Sequence, residues 1–239
     1  MHAIEGKQTR ELDAATIAAW ASRYHDLTVD LGTGDGRFVR HLARLDLARG
    51  AIGVDTHGAN LRLHSRGAPD NALFVVADAL VLPPELRRLA TRVTVNFPWG
   101  SLLRGLLDGH DGLLAGLRAV GRPGASLEIT LNAGALAEAG WGLEAGVQRV
   151  AMTLERSGFR VRPVRAIGPD QLRRFPTTWA KRLAFGRDPR AVGIRAVFAQ
   201  GDREPTSAVP NGYAPSTTGA KIAASPSAIV TPVASWRLN

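Results

Sequence analysis

Cysteine is absent from the 239-residue chain, which excludes a disulfide framework and every thiolate metal site. No apolar run reaches the roughly 20 residues that span a bilayer, and the opening MHAIEGKQTRELDA lacks the apolar core of a signal peptide. Neither a membrane partner nor export is therefore expected, and the protein is read as cytoplasmic. The six histidines show no metal-ligand pairing on one helix face, so no metal is expected. Acidic residues are also short: 30 Lys and Arg face 21 Asp and Glu, for a formal net charge of +9 and an isoelectric point near 11.1. That excess suits a polyanionic partner, nucleic acid first. An arginine-rich genome would give the same balance, and composition leaves both readings open. The length suits one α/β domain with additions.

What is present is organised around VDLGTGDG, Val29 to Gly36. The run His25-Asp26-Leu27-Thr28-Val29 reads as a strand. The chain then turns on Gly32, Gly34 and Gly36 and enters Arg37 to Ala43, where apolar residues fall at helical spacing. Strand, glycine turn and helix open a βαβ unit. Glycine is needed where the backbone takes positive φ and approaches a ligand closely. A dinucleotide site wants G-x-G-x-x-G, whereas this turn is D-x-G-x-G-x-G with acids at Asp30 and Asp35. A carboxylate there repels a pyrophosphate and attracts the α-ammonium of an amino acid, which favours S-adenosylmethionine over NAD. About twenty residues on, Gly50 to Asp55 is a second strand ending in an acid placed to accept from ribose hydroxyls.

Upstream, Ile4 to Lys7 could start a hairpin, and Asp13 looks like the N-cap of a helix over Ala14 to Arg23. Downstream, Ala59 to Ser65 reads as a helix and Ala72 to Val76 as the third strand, followed by Ala77 and Asp78 at the expected adenine position. A short helix is expected over Glu85 to Ala90. The fourth strand, Arg92 to Asn96, runs into Phe97-Pro98-Trp99-Gly100-Ser101. Ligands of open α/β sheets sit beyond the carboxyl ends of strands, so Trp99 is aimed at substrate. A helix over Leu113 to Val120, a turn at Gly121 to Gly124 and a fifth strand over Ala125 to Leu131 follow. Residues 132 to 146 are rich in Ala and Gly and poorly specified. Val147 to Ser157 reads as a helix, Phe159 to Val164 as a sixth strand, and Ile194 to Ala199 as a last strand antiparallel to the sixth. Between them lies Gln171 to Leu183, a second tryptophan in a strongly basic setting. After Gly201 the chain turns to Pro, Ser, Thr, Ala and Gly, a composition that does not support a packed core. The expected division is a 1–24 extension, a 25–200 catalytic domain and a disordered 201–239 tail.

VDLGTGDGR, FPWGSLLRG and TTWAKRLAFGR, in that order, resemble the Kam/Npm-type aminoglycoside-resistance methyltransferases of 16S ribosomal RNA, over about residues 1 to 200. The resemblance implies a Rossmann-like class I methyltransferase. Its α/β sheet has seven mostly parallel strands with an antiparallel last strand. It further implies methyl transfer from S-adenosylmethionine to N1 of a decoding-site adenine in helix 44 of the assembled 30S subunit, by a monomer. Trp99 and Trp179 match the tryptophans that sandwich the flipped adenine. Asp30, Gly32, Thr33, Gly34 and Asp55 match cofactor positions, with Ala77 and Asp78 beside the adenine moiety. Asn96, Pro98 and Thr177 complete the cofactor side. Arg62, Arg66, Lys181, Arg182, Arg187 and Arg190 match or stand near basic positions that dock on RNA. The linker after Asp55 is shorter than in the relatives and lacks their lysine-rich stretch.

A base inside a duplex must be flipped out before its N1 is reachable. That nitrogen carries a lone pair and no proton at neutral pH, so no general base is called for. Two rivals remain. Asn96-Phe97-Pro98-Trp99 also resembles the Asn-Pro-Pro-aromatic motif of amino-directed DNA methyltransferases, which would direct the methyl to N6. A non-catalytic protein binding S-adenosylmethionine and rRNA could keep the same fold.

Overall fold

The computed structural model describes residues 1–186 and 188–198. Arg187 and the expected 201–239 tail lie outside the described residues.

The glycine turn divides the sheet. Strand β3 (Asp26–Leu31) feeds it, and helix α2 (Arg37–Leu45) leaves it. On one side of β3 lie β4 (Arg49–Asp55) and β5 (Ala72–Val76), joined through α3 (Gly58–Ser65). On the other lie β6 (Ala90–Asn96) and β7 (Gly121–Asn132), all parallel to β3. Strand order thus reverses at β3, which opens a crevice beyond its carboxyl end. The far edge is β8 (Phe159–Val161), β9 (Arg165–Ile167) and β10 (Ala191–Phe198), with β10 antiparallel to β7, β8 and β9. The central order β5-β4-β3-β6-β7-β10-β8 is the expected seven-stranded sheet with its antiparallel last strand.

Three additions extend it. A hairpin of β1 (His2–Glu5) and β2 (Gln8–Glu11) pairs antiparallel with β5, covering an edge that would otherwise expose unpaired backbone. Helix α1 (Ala14–Ala21) follows, capped by the Asp13 carboxylate accepting from the Thr16 amide at 2.7 Å. The expected sixth strand over Phe159 to Val164 ends early as β8, before Pro163, which has no amide to donate, and a further strand β9 follows beyond the expected range.

Other departures have local causes. The expected helix over Glu85 to Ala90 is a single 3₁₀ turn, Pro84–Leu86, because Ala90 already begins β6. The expected turn at Gly121 to Gly124 lies inside β7 as an irregularity: Ala90 pairs Gly121 and Arg92 pairs Ser126, so residues 122–125 face Thr91 alone. Helix α4 (Gly100–Asp108) was not expected, although Leu103, Leu106 and Leu107 bury one helical face. Helix α5 (Asp111–Val120) precedes β7. The unspecified 132–146 stretch forms α6 (Ala133–Glu138) and the start of α7 (Leu143–Arg156), whose small residues pack closely without a strong apolar signature. Helices α8 (Pro169–Arg174) and α9 (Thr178–Ala184) sit between β9 and β10. No helix among the described residues is long and apolar enough to cross a membrane.

The main core packs both faces of the central strands, with Leu27, Val29, Leu31, Ile52, Val54 and Val93 essentially inaccessible. Gly36 allows the glycine turn to reach α2: its φ is +78°, and a Cβ there would lie 2.6 Å from the Phe74 ring. Gly36→Ala therefore combines backbone strain with overpacking. We expect a loss of about 2–4 kcal/mol in chemical unfolding. Gly34→Ala, also at positive φ but meeting nothing within 4 Å, should lose only about 1–2 kcal/mol.

Candidate active site

The carboxyl ends of β3, β4, β5 and β6 converge on one cavity of about 670 Å³, well within the range of small-molecule sites. Asp30, Gly32, Thr33, Gly34, Asp55 and Ala77 line it, as do Asp78, Asn96, Pro98, Trp99, Thr177 and Trp179. Every residue expected on the cofactor side and both tryptophans are thus at one cavity.

Asp30 is the penultimate residue of β3 and is 1% exposed. Its Oδ1 accepts from the Thr94 hydroxyl at 2.6 Å and from the Asn96 amide at 2.8 Å. Burial pushes its carboxyl up to about 6, against the pull of those hydrogen bonds. Among the described residues no cation makes a salt bridge with it, and the Arg92 charge acts on it only weakly. Thr94 was not anticipated from the sequence; it is one of many strand threonines, and only the fold reveals its contact.

Asn96 Nδ2 donates to Asp30 at 2.8 Å, and its Oδ1 accepts from the Thr130 hydroxyl at a long 3.5 Å. Asp55 closes the turn from β4. Its Oδ2 accepts from the Gly34 amide at 2.8 Å and its Oδ1 from the His57 amide at 2.9 Å. Each oxygen keeps a second lone pair for a hydroxyl donor. Asp78 holds its own loop through the Leu80 amide at 2.8 Å.

Trp99 stands at the head of α4 on a constrained segment. Phe97 takes φ +53° although it is bulky and buried, and Gly100 takes φ +56°. A non-glycine residue held there costs on the order of 1–3 kcal/mol and persists only where packing over-determines it. Leu172, Ala180 and Ala191 supply that packing. Trp179 comes from α9, capped by the Thr177 hydroxyl accepting from the Ala180 amide at 3.0 Å. The two indoles, eighty positions apart, stack with centroids 5.3 Å apart and planes at 28°. A purine between them needs a separation of about 7 Å, twice the contact distance of aromatic carbons. The expected slot therefore exists but is closed on itself.

The basic residues divide. Lys181 is exposed on α9. Arg182 lies with Cζ 5.3 Å from the Trp179 ring centroid, a cation–π contact. Arg190 is held by Asp188 through two 2.8 Å hydrogen bonds, which also hold Asp188 down to about 2. The remaining Arg190 N–H donors stay open to solvent on an exposed side chain. Arg62 donates to the Lys7 carbonyl at 2.9 Å and, with exposed Arg66, lies along the hairpin turn rather than at the cavity.

Two buried polar atoms lining the cavity have no partner, Thr33 Oγ1 and Trp99 Nε1. With the unneutralised Asp30 they mark a cavity built for a polar, positively charged ligand. That fits an amino-acid sulfonium nucleoside and does not fit a pyrophosphate.

Residues 2–198 match the family model described as NpmA: 16S rRNA (adenine(1408)-N(1))-methyltransferase. A protein of that name from Escherichia coli is 30% identical over 202 residues, covering 77% of this chain and 92% of the relative. Another from Streptoalloteichus tenebrarius is 31% identical over 204 residues, covering 79% and 94%. Among solved structures, the 16S rRNA methyltransferase KamB superposes with a TM-score of 0.75 at 28% identity, over 83% of this chain and all of that one. A 16S rRNA (adenine(1408)-N(1))-methyltransferase mutant from Catenulisporales acidiphilia, solved with cosubstrate SAM, superposes at 0.73 with 27% identity, over 87% of this chain and all of that one.

Asp30 sets a pH test. Its folded pKa lies above the unfolded value of 3.8, so the native state holds its proton more tightly than the unfolded state. Protonation thus favours folding, and stability from this group declines as pH rises through about 6. At neutral pH the charge costs about 3 kcal/mol, at 1.4 kcal/mol per unit. Asp30→Asn without ligand should melt above the parent at about pH 7.5, and the gap should shrink as pH falls below about 6 and close only below the unfolded value of 3.8.

Proposed function

The chain belongs to the 16S rRNA (adenine(1408)-N(1))-methyltransferase family, and we propose that it methylates N1 of that adenine on the assembled 30S subunit, docking as a monomer on helix 44. S-adenosylmethionine supplies an electrophilic methyl carbon when bound. The site work left to the chain is binding, orientation and charge. Asp30, already ionised at neutral pH, holds the α-ammonium; Asp55 accepts from the ribose hydroxyls; the Ala77–Asp78 loop borders the adenine moiety. Thr33 and Trp99 offer their unpartnered polar atoms to the same ligand. Adenine N1 attacks with its own lone pair, so the step requires no general base.

The observation that carries this reading is the meeting of Trp99 and Trp179 at the rim of the cofactor cavity. Separating two stacked indoles costs about 0.5–1.5 kcal/mol. A base entering between them gains about 1–3 kcal/mol of stacking, and two faces also offset part of the few kcal/mol spent on flipping. The methylated adenine is a cation, which indole faces stabilise as its charge develops. Arg182 rests against the Trp179 ring, where its charge can also meet a backbone phosphate. Lys181, Arg182 and the other exposed cations position the enzyme without reading sequence. Selection of one adenine then falls to the shape of the assembled subunit. Methylation of that adenine lowers affinity for aminoglycosides that contact it, and action on ribosomal subunits places the protein in the cytoplasm.

Primer extension on 30S subunits incubated with protein and S-adenosylmethionine should stop at one decoding-site adenine, and a naked helix-44 hairpin should give little product. Trp99→Ala and Trp179→Ala should each lower turnover by about 100-fold or more while retaining cofactor binding by calorimetry. Wild-type subunits without the stop would leave only a binding protein.

A further inference from the structure

The two walls of the indole slot are held very differently. Trp99 packs against the main core and follows the constrained Phe97-Pro98 segment. Trp179 is 42% exposed and belongs to α8–α9, whose apolar contacts form a small separate cluster around Phe97, Leu172 and Ala180. Among the described residues, one hydrogen bond joins residues 168–186 to the rest of the chain: the Thr178 hydroxyl donates to Asp35 Oδ2 at 2.7 Å. The others that these residues make run within residues 168–186. Asp35 belongs to the glycine turn. Its Oδ1 accepts from the Arg37 amide at 3.0 Å, fixing the carboxylate against the start of α2. Its Oδ2 also lies 3.7 Å from His64 Nε2.

We propose that Asp35 is a positioning residue for Trp179. Its carboxylate, acting through the Thr178 hydroxyl, ties the second tryptophan to the turn that lines the cofactor cavity. The inference rests on the methyltransferase reading above and gives a role to an acid that the cofactor contacts leave unused. Thr178 immediately precedes Trp179, so a displacement at the hydroxyl passes directly into the indole. The slot must widen by about 2 Å to admit a base, from 5.3 Å to about 7 Å. With Trp99 fixed in the core, that opening is a motion of α9. The Asp35–Thr178 bond limits it and sets the height of the base relative to the cofactor. Misplacement of a reacting atom by 1 Å can cost about 100-fold in rate, so one hydrogen bond can matter to turnover far more than to folding.

Thr178→Val keeps the side-chain shape and removes the donor; Thr178→Ser keeps the donor. We expect the Val variant to lose 10- to 100-fold in kcat, on the order of the geometric penalty, with cofactor affinity and melting temperature unchanged. Ser should restore turnover. A second readout needs no RNA: the coupled near-ultraviolet circular dichroism of the stacked Trp99–Trp179 pair, taken as the difference from Trp179→Ala. It should weaken in Thr178→Val and return in Thr178→Ser. An unchanged indole signal in Thr178→Val, or a weakened one with full turnover, overturns the proposal. If the wild type methylates nothing, the functional reading fails, while the circular dichroism still decides whether the tether sets the tryptophan.

Discussion

A carboxylate kept almost free of water without a cation beside it is the constraint on which the rest of the site depends. Asp30 is tolerated at the end of β3 because Thr94 and Asn96 reach it from the neighbouring strand, and β6 can supply both only because it lies parallel to β3 at the reversal of strand order. Burial raises the pKa of that acid, and a cationic ligand beside it would offset the cost of its charge. The glycine turn leaves room for the ligand to approach, and Asp55 steadies the turn from the other side.

The second layer of organisation is aromatic. The proposed slot has one wall packed on the core and one that is exposed. Trp99 is fixed by a buried, positive-φ phenylalanine and the main core. Trp179 rides on a seven-residue helix whose attachment to the cofactor turn is a single polar contact among the described residues. In the absence of RNA the two indoles satisfy each other, which spares the protein an exposed apolar slot and sets a modest cost for entry of a base.

Much of this was legible in the sequence, for identifiable reasons. Strand, glycine turn and following helix were readable because glycine spacing and apolar periodicity are local properties. The stretches bearing Trp99 and Trp179 were readable as motifs, and their convergence was implied by the family resemblance alone. What escaped depends on tertiary contact. Thr94 and Thr178 are ordinary threonines until Asp30 and Asp35 are placed opposite them. The state of the slot could not be read either, since ring separation is set by packing around Phe97 and α9. Nor could the pairing of Arg190 with Asp188, which turns an expected docking cation into a largely neutralised one. The expected helix at Glu85 to Ala90 and the unspecified stretch after Asn132 went astray where proline, alanine and glycine blur periodicity.

The most direct measurement is a structure of the protein on the 30S subunit with a non-reactive analogue of S-adenosylmethionine in the cavity. One extruded adenine should lie between Trp99 and Trp179, the indoles parted to about 7 Å and N1 directed at the analogue. Indoles still stacked on each other, with the nearest adenine bound elsewhere, would contradict the account at its centre.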